Sequence, residues 1–250
     1  MPFAINRDYR IHYTIEGSGP LVVLQHGLLS SGESWKEAGY VDSLTESFTV
    51  ACLDSLGHGQ SDKPIDAQAY RQSQRAADIV AVMDHIGADK AHLIGYSMGG
   101  WMSVGVARYF PERLDSLVIG GWDCVNGMSY VSSAMGIEMN SIDQLLTAAE
   151  AMAPDLVAWV TPEIRPALGA CFNALAELDG ASDAVCGLNA PVTLWDGTED
   201  PYHDPMKAFA AENGLGFIST SGDHLGAMIN NAPEHARAFQ ESILKGTANA

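Results

Sequence analysis

Basic residues are scarce in this sequence. Its 250 residues include 13 Lys and Arg against 31 Asp and Glu, which gives a formal net charge of −18. A chain this acidic is repelled by phosphate backbones and by anionic lipid surfaces. We therefore expect no nucleic-acid partner and no membrane partner, and we expect the ligand to be a small molecule.

Long apolar runs and metal-binding spacings are also missing. No stretch approaches the roughly 18 apolar residues of a transmembrane helix, and residues 1–16 lack the apolar centre of a secretory signal. The cysteines form no C-x-x-C pair, and the eight histidines show no H-E-x-x-H spacing. We expect a cytoplasmic monomer or homodimer with reduced cysteines, and neither a metal nor another cofactor.

Short apolar runs alternate with helical patterns over most of the chain. The runs are continuous, as is typical of strands covered by helices on both faces. This alternation predicts a doubly wound, mostly parallel α/β sheet, preceded by an antiparallel edge strand at 9–16. The parallel strands are predicted at 21–24, 48–53, 91–94, 117–119 and 192–195.

One region interrupts this alternation. Residues 123–189 contain no clear strand, and their helical patterns are broken by prolines such as Pro154 and Pro162. We predict a helical lid over residues 123–189, inserted in a core domain of residues 1–122 and 190–250.

A nucleophile motif follows the apolar run at 91–94. The sequence there is Gly95-Tyr96-Ser97-Met98-Gly99-Gly100, and a helical pattern comes next. A serine between a strand and a helix occupies a sharp, strained turn that lifts its hydroxyl clear of the sheet, and small neighbours make room for that turn. The motif predicts Ser97 as a catalytic nucleophile.

A serine hydroxyl needs a base to take its proton and an acid to orient that base. The segment Gly222-Asp223-His224 follows a predicted strand at 216–220, and it supplies His224 as the base. Asp196, Glu199 and Asp200 all lie near the end of the strand at 192–195. We favour Asp200 because it lies furthest along the loop, with Asp196 as the alternative.

Two backbone N–H groups would complete such a site as an oxyanion hole. The residue directly after the nucleophile, Met98, supplies one. The second is expected from the loop after the first parallel strand, which reads His26-Gly27-Leu28, and Leu28 is the candidate. We interpret His26 as organising this loop rather than transferring protons.

Taken together, these motifs resemble the α/β-hydrolase superfamily, in particular its small lidded esterases and lactonases. The resemblance covers nearly the whole chain, and it includes a D-x-x-G-H-G-x-S segment at 54–61. It implies that His58 is a structural residue. It also argues against haloalkane dehalogenases and epoxide hydrolases, which carry an aspartate where this chain has Ser97.

The resemblance implies a serine hydrolase that cleaves a small or medium uncharged acyl ester. Lactones such as acyl-homoserine lactones, thioesters and carbon–carbon bonds are alternatives on the same residues, and a non-catalytic small-molecule receptor is an alternative of another class. The predicted substrate contacts are Trp122, Asp123, Trp159 and Phe172.

Overall fold

Eight strands form one sheet in the computed structural model, which describes residues 2–135 and 139–247. The spatial order is β1-β2-β4-β3-β5-β6-β7-β8. All pairs from β4 to β8 are parallel, whereas β1 and β2 run antiparallel to their neighbours. The strands are β1 (Phe3–Asn6), β2 (Tyr9–Gly17), β3 (Leu21–Gln25), β4 (Thr49–Leu53), β5 (Ala91–Tyr96), β6 (Leu114–Gly120), β7 (Val192–Gly197) and β8 (Gly216–Thr220).

Helices cover both faces of this sheet. Alternate side chains of β3 separate into two apolar clusters. Val23 packs with the helices at Gln72–Ile86 and Met98–Tyr109 on one face, while Leu24 packs with those at Tyr40–Leu44 and Ala232–Thr247 on the other. The helices are α1 (Glu33–Glu37), α2 (Tyr40–Leu44), α3 (Gln72–Ile86), α4 (Met98–Tyr109), α5 (Gly127–Met135), α6 (Ile142–Met152), α7 (Pro154–Val157), α8 (Arg165–Ala174), α9 (Ala181–Cys186), α10 (His203–Asn213), α11 (Gly226–Ile229) and α12 (Ala232–Thr247). The predicted doubly wound, mostly parallel sheet is confirmed.

The strand at 9–16 differs from its prediction in one respect. β2 is antiparallel as expected, but it does not form the edge of the sheet, because β1 pairs along it with Phe3 opposite His12. The turn between them is made by Arg7 and Asp8, both at positive φ. The pair lacks the glycine that usually marks a two-residue hairpin, which is why β1 was not predicted.

Helices α5 to α9 lie within residues 123–189, and the described part of that segment contains no strand. Leu146 of α6 and Leu168 of α8 form an apolar cluster with Leu29, which lies in the loop after β3. The helical segment therefore packs on the loop that was predicted to supply an oxyanion-hole amide. Its division from the core as a lid stays a prediction.

Candidate active site

Ser97 lies at the sharp turn between β5 and α4. Its backbone has φ 57° and ψ −119°, a conformation that non-glycine residues rarely adopt. The Ser97 N–H donates to the carbonyl of Gly120 at 2.8 Å, which ties the turn to the end of β6. The turn places the partly exposed serine at the N-terminus of a twelve-residue helix, where the helix dipole favours negative charge.

Two glycines allow the turn to pack this closely. A Cβ on Gly95 would lie 2.2 Å from the carbonyl oxygen of Gly99, and a Cβ on Gly99 would lie 2.0 Å from that of Gln25. Both distances are far inside van der Waals contact. The start of α4 can therefore rest directly against the ends of β3 and β5 only because these positions lack a side chain.

That contact brings the loop after β3 beside the nucleophile. A Cβ on Gly27 would lie 3.1 Å from the Ser97 Cβ and 3.7 Å from its Oγ. Leu28 follows in this loop, and Met98 is the first residue of α4, so both predicted oxyanion-hole residues neighbour Ser97 in the chain or in space. That their N–H groups bind an oxyanion stays a prediction.

Two buried histidines hold this loop. The Nε2 of His26 accepts the N–H of Ser55 at 2.9 Å while its Nδ1 donates to the carbonyl of Gly27 at 2.7 Å. The Nε2 of His58 accepts the N–H of Leu29 at 3.4 Å. Burial lowers the pKa of His26 to about 4 and holds that of His58 well below its ordinary value. Both rings are therefore neutral at pH 7, and each accepts a backbone N–H bond that a protonated ring could not accept.

Asp200 and His224 are paired across the loops that follow β7 and β8. The His224 Nδ1 lies 2.5 Å from the Asp200 Oδ2, and the Tyr202 N–H donates to the Asp200 Oδ1 at 3.0 Å. Burial alone would raise the pKa of Asp200, but the hydrogen bond and the charge of His224 lower it below its usual range. An ionised Asp200 accepts the Nδ1 proton and leaves the lone pair of His224 on Nε2, which is the tautomer a general base requires.

The three acids near β7 differ sharply in environment. Asp200 is 5% exposed and bonded to His224, Glu199 is exposed, and Asp196 is fully buried. The backbone of Glu199 nevertheless helps the geometry, because its N–H donates to the carbonyl of Gly222 at 3.0 Å and so joins the acid loop to the histidine loop.

Sequence reasoning missed the contribution of Tyr96. Its hydroxyl donates to the backbone carbonyl of His224 at 2.7 Å, and the two ring centroids lie 5.3 Å apart. The residue directly before Ser97 thus anchors the loop that carries the histidine. The position is the variable x of the G-x-S motif, so the motif itself carried no signal for this contact.

The predicted substrate contacts have mixed surroundings. Trp122 is 2% exposed beside Tyr202, and Asp123 is 2% exposed and accepts the N–H groups of Val125 and Asn126 in a local turn. Both side chains are buried, so little of the surface of either is accessible to a ligand. A substrate contact for either residue stays a prediction.

The other two predicted substrate contacts, Trp159 and Phe172, lie in the helical segment. Trp159 is half-buried, and its Nε1–H donates to the carbonyl of Leu29 at 3.1 Å. Phe172 lies buried in α8. Only Trp159 makes a hydrogen bond to the loop beside Ser97, and substrate contact by either residue stays a prediction.

Among the residues that the structure describes, no group of three or more His, Cys, Asp or Glu side chains is arranged to hold a metal ion. Within the same residues, none of the helices is both long enough and apolar enough to cross a bilayer.

Comparison with known proteins identifies the fold. The model of the alpha/beta hydrolase fold family matches residues 20–132. The crystal structure of the enol-lactonase from Burkholderia xenovorans LB400 superposes with a TM-score of 0.72 at 22% identity, and it covers 99% of this chain and 100% of that one. The chain has the α/β-hydrolase fold. The recognition made from the motifs is confirmed at that level.

Curated relatives of this hydrolase-fold chain are similar over shorter stretches. A putative 2-succinyl-6-hydroxy-2,4-cyclohexadiene-1-carboxylate synthase of Bacillus subtilis is 32% identical over 113 residues, which are 44% of this chain and 40% of the relative. A 3-oxoadipate enol-lactonase of Acinetobacter baylyi is 23% identical over 78% of each chain. The first match spans less than half of its relative, so activity does not transfer from it.

Proposed function

We propose that this protein is a serine hydrolase that cleaves uncharged carboxylic esters through an acyl-enzyme. Ser97 is the nucleophile, His224 the general base and Asp200 the acid that orients it. The observation that carries the proposal is the His224–Asp200 hydrogen bond, set in a loop that Tyr96 anchors from the residue directly before Ser97.

The geometry supports an ordinary acyl-transfer sequence. The Ser97 Oγ attacks the ester carbonyl as His224 Nε2 takes its proton, and the resulting imidazolium then protonates the leaving alcohol. The N–H groups of Met98 and Leu28 stabilise the oxyanion, each worth roughly 2.7–4 kcal/mol. Water then attacks the acyl-enzyme with His224 as its base, and the acid leaves as the Ser97 Oγ regains a proton from the imidazolium.

Charge favours a neutral substrate. Residues 123–189 contain a single basic residue, Arg165, which pairs with Asp143 at 3.3 Å. Acidic residues occur at nine positions in that segment: Asp123, Glu138, Asp143, Glu150, Asp155, Glu163, Glu177, Asp179 and Asp183. An anionic acyl group would meet repulsion from this segment without a free basic partner in it.

Lactones are the second candidate substrate, because two relatives that cover most of this chain are enol-lactonases. Thioesters and carbon–carbon bonds remain further alternatives on the same residues. A lactone is a cyclic ester, so the proposed chemistry at Ser97 is unchanged. A panel of p-nitrophenyl esters of increasing chain length, run beside neutral and carboxylate-bearing lactones, tests bond class and charge preference together. Faster turnover of the carboxylate-bearing lactones would contradict the preference for neutral substrates.

A fluorophosphonate probe separates the enzyme from a non-catalytic receptor, because it labels an activated serine whatever the natural substrate. We expect labelling of the native protein and none of Ser97→Ala. Ser219→Ala is the matched control, since the Ser219 Oγ also lies 2.8 Å from an imidazole nitrogen, that of His203, but on the extended strand β8 rather than at a strained turn. An unlabelled native protein would favour the receptor.

A further inference from the structure

A second carboxyl group lies behind the pair of Asp200 and His224. Asp196, the second-last residue of β7, is fully buried. Its Oδ1 accepts the N–H of Gly197 at 2.9 Å, but no donor among the described residues reaches its buried Oδ2. An ionised carboxylate with a buried, unpaired oxygen is costly, so the environment favours the neutral acid.

The acid loop turns back on the end of β7, since the Asp200 N–H donates to the carbonyl of Gly197 at 3.0 Å, and this turn brings the Asp200 carboxyl within hydrogen-bond reach of Asp196. Two carboxylates cannot bond to each other, because both are acceptors only; one must carry a proton. Asp200 already accepts hydrogen bonds from His224 Nδ1 and from the Tyr202 N–H, whereas among the described residues Asp196 accepts a single one, from the Gly197 N–H. The shared proton therefore belongs on Asp196.

The other titratable groups around this pair also favour a proton on Asp196. Asp123, Tyr96 and Tyr202 are the other titratable groups that act on this pair, and no Lys or Arg among the described residues forms an ion pair with either carboxyl. Burial, followed by the charge of Asp200, raises the pKa of Asp196 well above its usual range. The largest causes of the fall in the pKa of Asp200 are the hydrogen bond and the charge of His224, and the hydrogen bonds of Tyr202 and Asp196 add to them.

We propose that Asp196 is a positioning residue that stays un-ionised and donates a hydrogen bond from Oδ2 to the carboxylate of Asp200. The proposal rests on the function assigned above to Asp200. A third donor, added to His224 and Tyr202, fixes the plane of the Asp200 carboxylate and lowers its basicity. Asp200 then holds the His224 imidazolium without taking its proton, and no second negative charge is buried behind it.

Two variants isolate the donated proton. Asp196→Asn keeps a neutral group of the same shape, whose amide can donate to Asp200 while its oxygen accepts the Gly197 N–H. Asp196→Val removes the donor and suits a buried strand. We expect the asparagine variant to keep kcat within about threefold of the native value, and the valine variant to lose about tenfold to a hundredfold in kcat with little change in KM.

The pH profile of kcat/KM reports the charge on Asp196. If Asp196 is neutral, Asp196→Asn leaves the acidic limb of the profile in place. If it is ionised, removing its charge makes the His224 imidazolium less favourable, and the acidic limb moves to lower pH. A shift of that kind would overturn the proposal, as would a folded Asp196→Val variant with native kcat.

Carbon-13 NMR of protein labelled at aspartate carboxyls makes the test independent of turnover. We expect one carboxyl resonance at the position of a protonated acid, unchanged between about pH 5 and pH 8, and absent from Asp196→Asn. Ser97→Ala should keep this resonance. If it persists while Ser97 proves unreactive, the hydrolase proposal has failed separately; if no such resonance exists in an active protein, the assignment of Asp196 has failed.

Discussion

The carboxyl end of the sheet and the helical segment 123–189 are built in different ways. At the sheet, backbone hydrogen bonds and strand register fix the groups: Ser97 N–H bonds to Gly120, and Glu199 N–H bonds to Gly222. Toward the loop after β3, the described part of the helical segment makes apolar contacts and a hydrogen bond from Trp159, while Glu177 joins it to α4 by accepting the Trp101 Nε1–H on its carbonyl. Hydrogen bonds are directional and apolar contacts are not, so the groups at the sheet are held in a narrower range of positions. We therefore expect changes at the sheet to alter turnover of every substrate, and changes in the helices to alter the choice among substrates.

The largest effect should come from the nucleophile. Ser97→Ala removes the only group proposed to form the acyl-enzyme, so turnover of all esters should fall below about a hundredth of the native value. The fold should persist, because the alanine leaves the backbone of the turn in place. Steady-state kinetics on a purified, folded sample check this, and substantial remaining turnover would remove Ser97 from its role.

Asp200→Asn should have the next largest effect. An asparagine can leave the His224 imidazole in the wrong tautomer, at a cost on the order of 10⁴ in kcat. Glu199→Gln is the matched control, since it removes a carboxylate one residue away that is exposed to solvent. Asp196→Asn should cost far less than Asp200→Asn; the reverse ranking would make Asp196 the acid.

The parallel strands and the turn at Ser97 could be predicted from the sequence because the signals for them are local. The turn at Ser97 needs glycine where a Cβ would meet backbone 2.0 Å away at Gly99, and that requirement is visible as a motif. Gly87 ends α3 in the left-handed conformation, the position where a glycine is the usual local signal of a helix end. Apolar continuity likewise located each parallel strand to within a few residues.

What the sequence did not predict depends on contacts between distant segments. The hydrogen bond of Trp159 to Leu29 joins residues 130 apart, and nothing local in either indicates the other. The partner of the Tyr96 hydroxyl lies 128 residues away. Burial of Asp196 against Asp200 depends on how the acid loop turns back on its strand, which composition does not encode.

The loop after β3 should make stability depend on pH. In the unfolded chain His26 binds a proton near pH 6.5, whereas burial lowers its pKa in the folded protein to about 4. The unfolded chain therefore binds this proton more tightly than the folded protein does. The free energy of unfolding keeps its full value above about pH 6.5 and falls as the pH drops toward 4. Between about pH 6.5 and pH 5 this amounts to a loss of about 2 kcal/mol in the free energy of unfolding.

Urea unfolding at these two pH values measures that loss. The His26→Gln variant has no titratable side chain at this position, so its free energy of unfolding should change less between the two pH values. At pH 7 we expect it to be less stable than the native protein. Equal pH dependence in the two proteins would show that His26 is not the source.

The smallest effects separate two roles within the helical segment. Trp159→Phe keeps an aromatic ring but removes the Nε1–H that binds the Leu29 carbonyl. Because Leu29 directly follows the proposed oxyanion residue Leu28, this change should slow all esters alike, by roughly twofold to tenfold for one hydrogen bond. Phe172→Ala leaves the hydrogen bond to Leu29 in place. It removes a buried ring from α8 and should therefore enlarge the space between the helices of segment 123–189.

Enlarging that space should shift chain-length preference, since each buried methylene is worth roughly 0.8 kcal/mol, or about fourfold. The measurement compares kcat/KM for short and long p-nitrophenyl esters, together with the rate of labelling by a small phosphonate. We expect Phe172→Ala to change the ratio between esters at constant labelling, and Trp159→Phe to reduce labelling at a constant ratio. If Phe172→Ala abolished labelling instead, the helical segment would support the reacting groups directly, and the contrast between the two regions would fail.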